Sequence, residues 1–312
     1  MGARGERPEL RCDARTLAKA LSAVEHGGDE AAAVVAGARG RLGRARTVGI
    51  TGAPGVGKST LVQALGLALL GRGHSVAVLA TDPSSPFSGG ALLGDRVRMP
   101  DLLAGGGFVR SMATRGALGG VAAATSDAVD VLDAAGFDWI LVETIGAGQD
   151  EVDVALEVET VVVLTVGGLG DDVQAAKAGL MEIGDVFVVN KADLAGAGAQ
   201  AAALEAALAL APPSPWRPPV IETTATRGEG VAEVAAAVDA HQAFLDPGRR
   251  QELRWRRTSR RVERLLAGMV LERMRSAHAA TWDSVVAAAR SGELDPYAAA
   301  ARLAALCFGE GS

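Results

Sequence analysis

Gly52-Ala53-Pro54-Gly55-Val56-Gly57-Lys58-Ser59 fits the pattern G-x-x-x-x-G-K-[ST] in full, with Thr60 next in line. An apolar β-rich run, Thr47–Thr51, precedes it, and an alanine- and leucine-rich helical stretch follows. Strand, glycine loop and helix in that order make a cradle for phosphate. The glycines let backbone N–H groups curl round phosphate oxygens with no Cβ in the way. The helix N-terminus adds a partial positive charge. Lys58 is placed to reach the β- and γ-phosphates of a nucleoside triphosphate, and Ser59 to offer its hydroxyl to Mg²⁺.

Outward from this loop, apolar runs alternate with helical stretches. Candidate strands are Thr47–Thr51, Ser75–Asp82, Phe108–Met112, Trp139–Glu143, Val161–Val166, Val186–Asn190 and Val220–Thr223. Continuous apolar strands separated by helices imply an α/β fold of the P-loop NTPase type, with a mostly parallel sheet covered by helices on both faces. Ligands bind such sheets beyond the carboxyl ends of the strands, and the candidate motifs fall at those ends.

Helical extensions are expected on both sides. Residues 1–45 read as one or two helices with Leu17, Leu21 and Val24 on one face. Residues 46–246 form the nucleotide-binding domain. Residues 247–312 carry no strand signal. There, Arg249–Arg275 repeats apolar residues at Val262, Leu265, Leu266 and Met269, the spacing of an amphipathic helix. Shorter helices are expected near Trp282 and from Pro296, a residue suited to a first helical turn. With few elements left to bury that stripe, a homodimer built on residues 247–312 is the expectation.

Asn190-Lys191-Ala192-Asp193 ends another apolar strand. An N-K-x-D run on the same sheet as a P-loop selects guanine. The aspartate accepts from guanine N1–H and the exocyclic amine, donors that adenine lacks. A buried acceptor left without them is penalised. The lysine stem packs on the base, and the asparagine braces the P-loop. Thr224-Ala225-Thr226, after the next strand, stands where a backbone N–H contacts the guanine oxygen. GTP and GDP are therefore the expected nucleotides.

Mg²⁺ takes oxygen ligands. Asp82 ends the second candidate strand, Asp95 lies in the glycine-rich loop after it, and Glu143 ends the fourth. A carboxylate at such a point also serves as a helix cap. Glu143-Thr-Ile-Gly-Ala-Gly-Gln149 occupies the place of a γ-phosphate-sensing loop. Gly146 can give its N–H to that phosphate. Gln149 is the candidate for orienting the attacking water, though a polar loop residue would look the same.

With 312 residues, 49% hydrophobic, the chain has material for a sizeable core, and its net charge of −6 argues against nucleic acid as the main partner. No stretch is apolar and long enough to span a bilayer, and the N-terminus lacks a signal-peptide core. A cytoplasmic protein without a membrane partner is expected. Cys12 and Cys307 suggest neither a disulfide framework nor a metal motif.

These residues resemble one family. TGAPGVGKST, TDPSSPFSGGALLGDRVRM, RSMATRGALGGVA, VETIGAGQDEVDVA, GDDVQAAKAGLMEIGDVFVVNKADL and the late DPYAAAARL are similar to the MeaB/ArgK GTPases, relatives of the methylmalonic aciduria type A protein. The resemblance implies a dimeric GTPase that binds an adenosylcobalamin-dependent acyl-CoA mutase, gates loading of the cofactor and protects the mutase from inactivation. It implies Asp82, Asp95 and Glu143 as the Mg²⁺ neighbourhood and the C-terminal helices as a dimerisation arm. It also implies that Asp171 to Lys177 form an additional switch loop that reports nucleotide state to the mutase. One departure stands out. Gly167 takes the place of an expected proline, and two glycines there should loosen the loop.

Other readings compete. An older label for the family is a kinase of a lysine/arginine/ornithine transport system, against which the guanine-type run argues. A metallochaperone GTPase would carry Cys/His ligands, whereas His26, His74, His241 and His278 are scattered. The cluster Arg249, Arg250, Arg254, Arg256, Arg257, Arg260 and Arg261 around Trp255 invites a nucleic-acid reading. A solvated helix face, or one that meets an acidic partner, accounts for it better.

Overall fold

The computed structural model describes residues 13–82, 99–113, 120–144, 157–168 and 180–308. Seven strands form one sheet in the order β3-β2-β4-β1-β5-β6-β7. They are β1 (Arg46–Gly52), β2 (Val76–Asp82), β3 (Phe108–Ala113), β4 (Trp139–Thr144), β5 (Thr160–Val166), β6 (Val186–Asn190) and β7 (Val220–Thr223). Every described pairing is parallel. All seven carboxyl ends therefore lie along one edge of the sheet.

Period-2 alternation sends neighbouring side chains of a strand to opposite faces. On β4, Ile140 and Val142 join one apolar cluster, while Trp139 and Leu141 join the other. Each face needs its own cover, which is why these strands read as unbroken apolar runs. One face is covered by α1 (Ala14–His26), α2 (Gly28–Ala38), α5 (Gly120–Ala135) and α6 (Ala197–Leu210). The other carries α3 (Lys58–Gly71), α4 (Pro100–Ala104) and α7 (Val231–Phe244).

The N-terminal pair is part of that packing. Asp13 caps α1 by accepting from the N–H groups of Arg15 and Thr16, both at 2.9 Å. Leu17, Leu21 and Val24 are buried in the cluster that also holds Ala128 and Leu132 of α5. An Arg110–Glu25 ion pair of 2.8 Å joins β3 to α1.

The chain forms two compact units, residues 1–257 and 258–312. Within the first, the early turns of α8 (Pro247–Ala277) explain part of the arginine cluster. Arg250 pairs with Glu159 at 3.1 Å, and Arg257 lies 3.9 Å from Glu159 and donates to the Glu157 carbonyl at 3.2 Å. Both cations meet the Glu159 carboxylate of their own chain, with Arg250 still partly exposed.

The second unit contains the rest of α8, α9 (Ala279–Ser291) and α10 (Pro296–Phe308). Met274, Val285 and Ala299 are buried there, while Val262, Leu266, Met269, Val270 and Leu271 stay exposed. Asp295 caps α10 through the N–H groups of Tyr297 and Ala298. Among the described residues no helix is long and apolar enough to cross a membrane.

Candidate functional site

The site lies at the carboxyl edge of the sheet, where β1, β4, β6 and β7 end. β1 stops at Gly52, and α3 starts at Lys58. The turn between them requires glycine at two points. A Cβ on Gly52 (φ 142°) would stand 2.2 Å from the Leu164 carbonyl oxygen, and one on Gly57 (φ 97°) would stand 2.4 Å from Asn190 Nδ2. Lys58 is buried and curls back along the loop, donating to the carbonyls of Gly52 and Ala53. Pro54 and Gly55 are exposed, Val56 is buried beneath them, and Thr60 lies exposed in the first turn of α3.

Ser59 Oγ donates to Glu143 Oε1 across the gap between α3 and β4. The Glu143 carboxyl is buried, and its backbone is paired with Ile50 on one side and Ala80 on the other. The backbone of Asp82 ends β2 beside Ala113. A hydroxyl and a buried carboxylate that converge at the mouth of a phosphate loop are hard oxygen donors and fit Mg²⁺. Among the described residues, no three His, Cys, Asp or Glu side chains cluster for a metal. Asp95, Gly146 and Gln149 lie outside the described residues, as do Asp171 and Lys177.

The loops after β6 and β7 are tied to the glycine loop through the side chain of Asn190. Asn190, buried, donates through Nδ2 to the Val56 carbonyl at 2.9 Å. Its Oδ1 accepts from Thr223 Oγ1 at 3.0 Å and from Ala225 N–H at 3.2 Å. Lys191 adopts a left-handed backbone (φ 57°), and its Nζ donates to the Gly55 carbonyl at 2.9 Å. Ala192 N–H donates to the Thr223 carbonyl at 2.9 Å. Asp193 is thereby held at the same edge as Thr224, Ala225 and Thr226, of which only Thr226 is exposed. Two residues escaped the sequence reading. Thr223 orients the Asn190 amide, and Arg227 lies 3.6 Å from the Asp193 carboxylate.

Gly167 has a packing reason to be glycine. A Cβ there would lie 2.5 Å from the carbonyl carbon of Gly196 and 2.6 Å from Ala197 N, in the loop that follows Asp193. At this position the missing side chain permits close backbone contact.

Fold and site together define a P-loop protein of the GTPase class. Comparison with known proteins narrows this. Residues 17–279 match the family model described as methylmalonyl Co-A mutase-associated GTPase MeaB, and the chain belongs to the MeaB family. A protein of Pyrococcus horikoshii that carries a GTPase name is 45% identical over 294 residues, covering 92% of each chain. The Escherichia coli GTPase ArgK is 40% identical over 219 residues, 68% of this chain and 66% of that one. The mitochondrial methylmalonic aciduria type A homologue of mouse is 41% identical over 193 residues, 60% of this chain and 46% of its own length. A crystal structure of a LAO/AO transport system kinase superposes with a TM-score of 0.69 at 24% identity, covering 98% of this chain and 94% of that chain. At that identity the likeness concerns the fold alone. The chain is a GTPase and binds GTP.

Proposed function

We propose that the chain is a GTP-timed chaperone of an adenosylcobalamin-dependent acyl-CoA mutase of the methylmalonyl-CoA mutase type, gating cofactor loading and protecting the loaded enzyme. The observation that carries the nucleotide half is the Asn190 amide, which fastens the phosphate loop to both base loops. The mutase half rests on the family to which the chain belongs.

In this reading residues 52–60 enclose the phosphates through backbone N–H groups and the N-terminus of α3. Lys58 leaves the Gly52 and Ala53 carbonyls to meet the β- and γ-phosphates. Asp193 takes guanine N1–H and the exocyclic amine, the Lys191 stem covers the base, and the loop 224–226 offers an N–H to the guanine oxygen. Ser59 and Glu143 would hold Mg²⁺, with Asp82 and Asp95 near it. The ion would neutralise charge on the phosphate oxygens. Gly146 senses the γ-phosphate, and Gln149 orients the attacking water. Asp171 and Lys177 pass the nucleotide state to the partner. The exposed stripe Val262, Leu266 and Met269 is the seam of a homodimer.

Calorimetry with GDP, GTP and ATP tests the nucleotide half. ATP should bind at least about a hundredfold more weakly than GTP, the scale set by lost buried hydrogen bonds. Equal affinities would overturn the base assignment. The chaperone half is tested by co-purification with tagged candidate mutases, with and without a non-hydrolysable GTP analogue. Failure to bind any such mutase in either state would overturn it.

A further inference from the structure

Arg227 closes the short turn Ala225–Arg227 after β7, and its Nη2 lies 3.6 Å from Oδ2 of Asp193 in the loop after β6. The two side chains are 60% and 34% exposed. Short backbone links set the distance between these loops. Ala192 N–H donates to the Thr223 carbonyl, and Arg227 N–H donates to the Thr224 carbonyl at 2.8 Å. Ala225 N–H reaches the Asn190 amide. The backbone of Arg227 is therefore placed beside the loop that carries Asp193 by the same bonds that link the two loops, and its guanidinium lies within ion-pair distance of that carboxylate.

We propose that Arg227 is the internal counter-ion of Asp193, occupying the carboxylate before the base arrives and giving it up when guanine binds. The inference rests on the assignment of Asp193 to guanine. A carboxylate only accepts hydrogen bonds, and guanine N1–H and its amine would engage both oxygens. The guanidinium at Oδ2 competes for one of them. Adenine presents an acceptor at N1, gains nothing from Asp193 and leaves the pair standing. Arg227 thus sets guanine affinity and, with it, the margin of guanine over adenine. An ion pair this exposed is a small term, and salt weakens it further.

The test is a double-mutant cycle on the full chain, with Arg227→Gln, Asp193→Asn and the double variant, titrated calorimetrically with GDP, ADP and xanthosine diphosphate. Arg227→Gln should tighten GDP about threefold at low salt, about 0.65 kcal/mol on the tenfold-per-1.4 scale, and widen the GDP-over-ADP preference by the same factor. In the Asp193→Asn background the substitution should lose that effect. In wild type the gain should shrink as salt rises to about 0.5 M. If Arg227→Gln weakens GDP, or changes it equally in both backgrounds, Arg227 is not the counter-ion. If Asp193→Asn leaves the GDP-over-xanthosine diphosphate preference unchanged, the assignment of Asp193 fails, and the proposal falls with it.

Discussion

Asn190 Nδ2 donates to the Val56 carbonyl at 2.9 Å, joining the end of β6 to the phosphate loop. The same side chain accepts from Thr223 and Ala225, so three segments distant in sequence meet at one buried amide. Removing it strands buried partners, at about 1–3 kcal/mol each when water cannot replace it. Asn190→Ala should lower stability by about 2 kcal/mol and weaken GDP at least about tenfold, since a misplaced cradle loses pre-organised donors. Urea unfolding and calorimetry measure the two effects. Unchanged GDP affinity would show that the phosphate loop holds its shape without Asn190.

Gly57 makes a second expectation possible because it touches the same amide. Gly55 and Gly57 both have a positive φ, 79° and 97°, but a Cβ on Gly55 meets nothing within 4 Å, while one on Gly57 meets Asn190 Nδ2 at 2.4 Å. Both alanine variants pay left-handed strain of about 1–2 kcal/mol. Only Gly57→Ala must also push Asn190 off Val56. In thermal melts without nucleotide, Gly57→Ala should therefore melt well below Gly55→Ala. Equal melting temperatures would mean that Asn190 moves aside freely.

These contacts mark the border of what the sequence made legible. Strands buried on both faces leave unbroken apolar runs, so β6 and β7 were bounded to the residue and the other five to within one residue at either end. The P-loop was legible because its chemistry is contiguous. α9 begins at Ala279, ahead of the expected start near Trp282, because Ala279 and Ala280 favour helix without adding to an apolar stripe. Arg227 and Thr223 could not be assigned because their partners are set by the pairing of β6 with β7. The packing reason for glycine at 167 left no mark in the sequence because its neighbour, Gly196, approaches only in the folded sheet. Arg250 and Arg257 looked like a solvated face because Glu159 lies far from them in sequence.

Those arginines carry their own consequence. Glu159 is buried between Arg250 and Arg257, and burial draws the Arg257 guanidinium below its usual pKa. Glu159→Gln keeps the shape and removes the charge. Breaking a buried pair costs about 3–5 kcal/mol, and the partly exposed Arg250 reduces this to about 2–3 kcal/mol. Urea unfolding should show that loss, and a change under about 0.5 kcal/mol would mean that solvent screens the cluster. A chain ended at Asp246 loses both arginines, whereas one ended at Arg257 keeps them, so the shorter chain should be the less stable.

At the opposite edge of the sheet from the nucleotide site, His241 Nε2 lies 3.3 Å from Asp185 Oδ1. His241 Nδ1 meets Thr160 Oγ1 at 2.9 Å, Gln242 Nε2 donates to that hydroxyl, and Val161 N–H donates to Asp185 Oδ2. Burial pushes the Asp185 carboxyl up from 3.8 to about 7. Burial, and then the nearby Arg250 charge, pulls His241 down from 6.5 to about 4. A carboxyl raised on folding stabilises at low pH, and that stability is lost as pH rises through about 7. A histidine lowered on folding does the reverse, and its contribution is lost as pH falls through about 4. Between about 4 and about 6.5 the folded pair keeps one proton, shared across the Asp185–His241 contact, and the unfolded pair also keeps one. The two slopes therefore cancel in the wild type. Each variant should expose one of them. Relative to wild type, His241→Gln should lose stability as pH rises from about 5 to about 7, and Asp185→Asn should lose it as pH falls over the same span. A full proton difference is worth 1.36 kcal/mol per pH unit, so about 1–2 kcal/mol over the span is expected for each. Urea unfolding at the two pH values measures it, with wild type as the common reference for all other titrating groups. Parallel profiles for the three proteins would show that Asp185 and His241 do not divide a proton in this way.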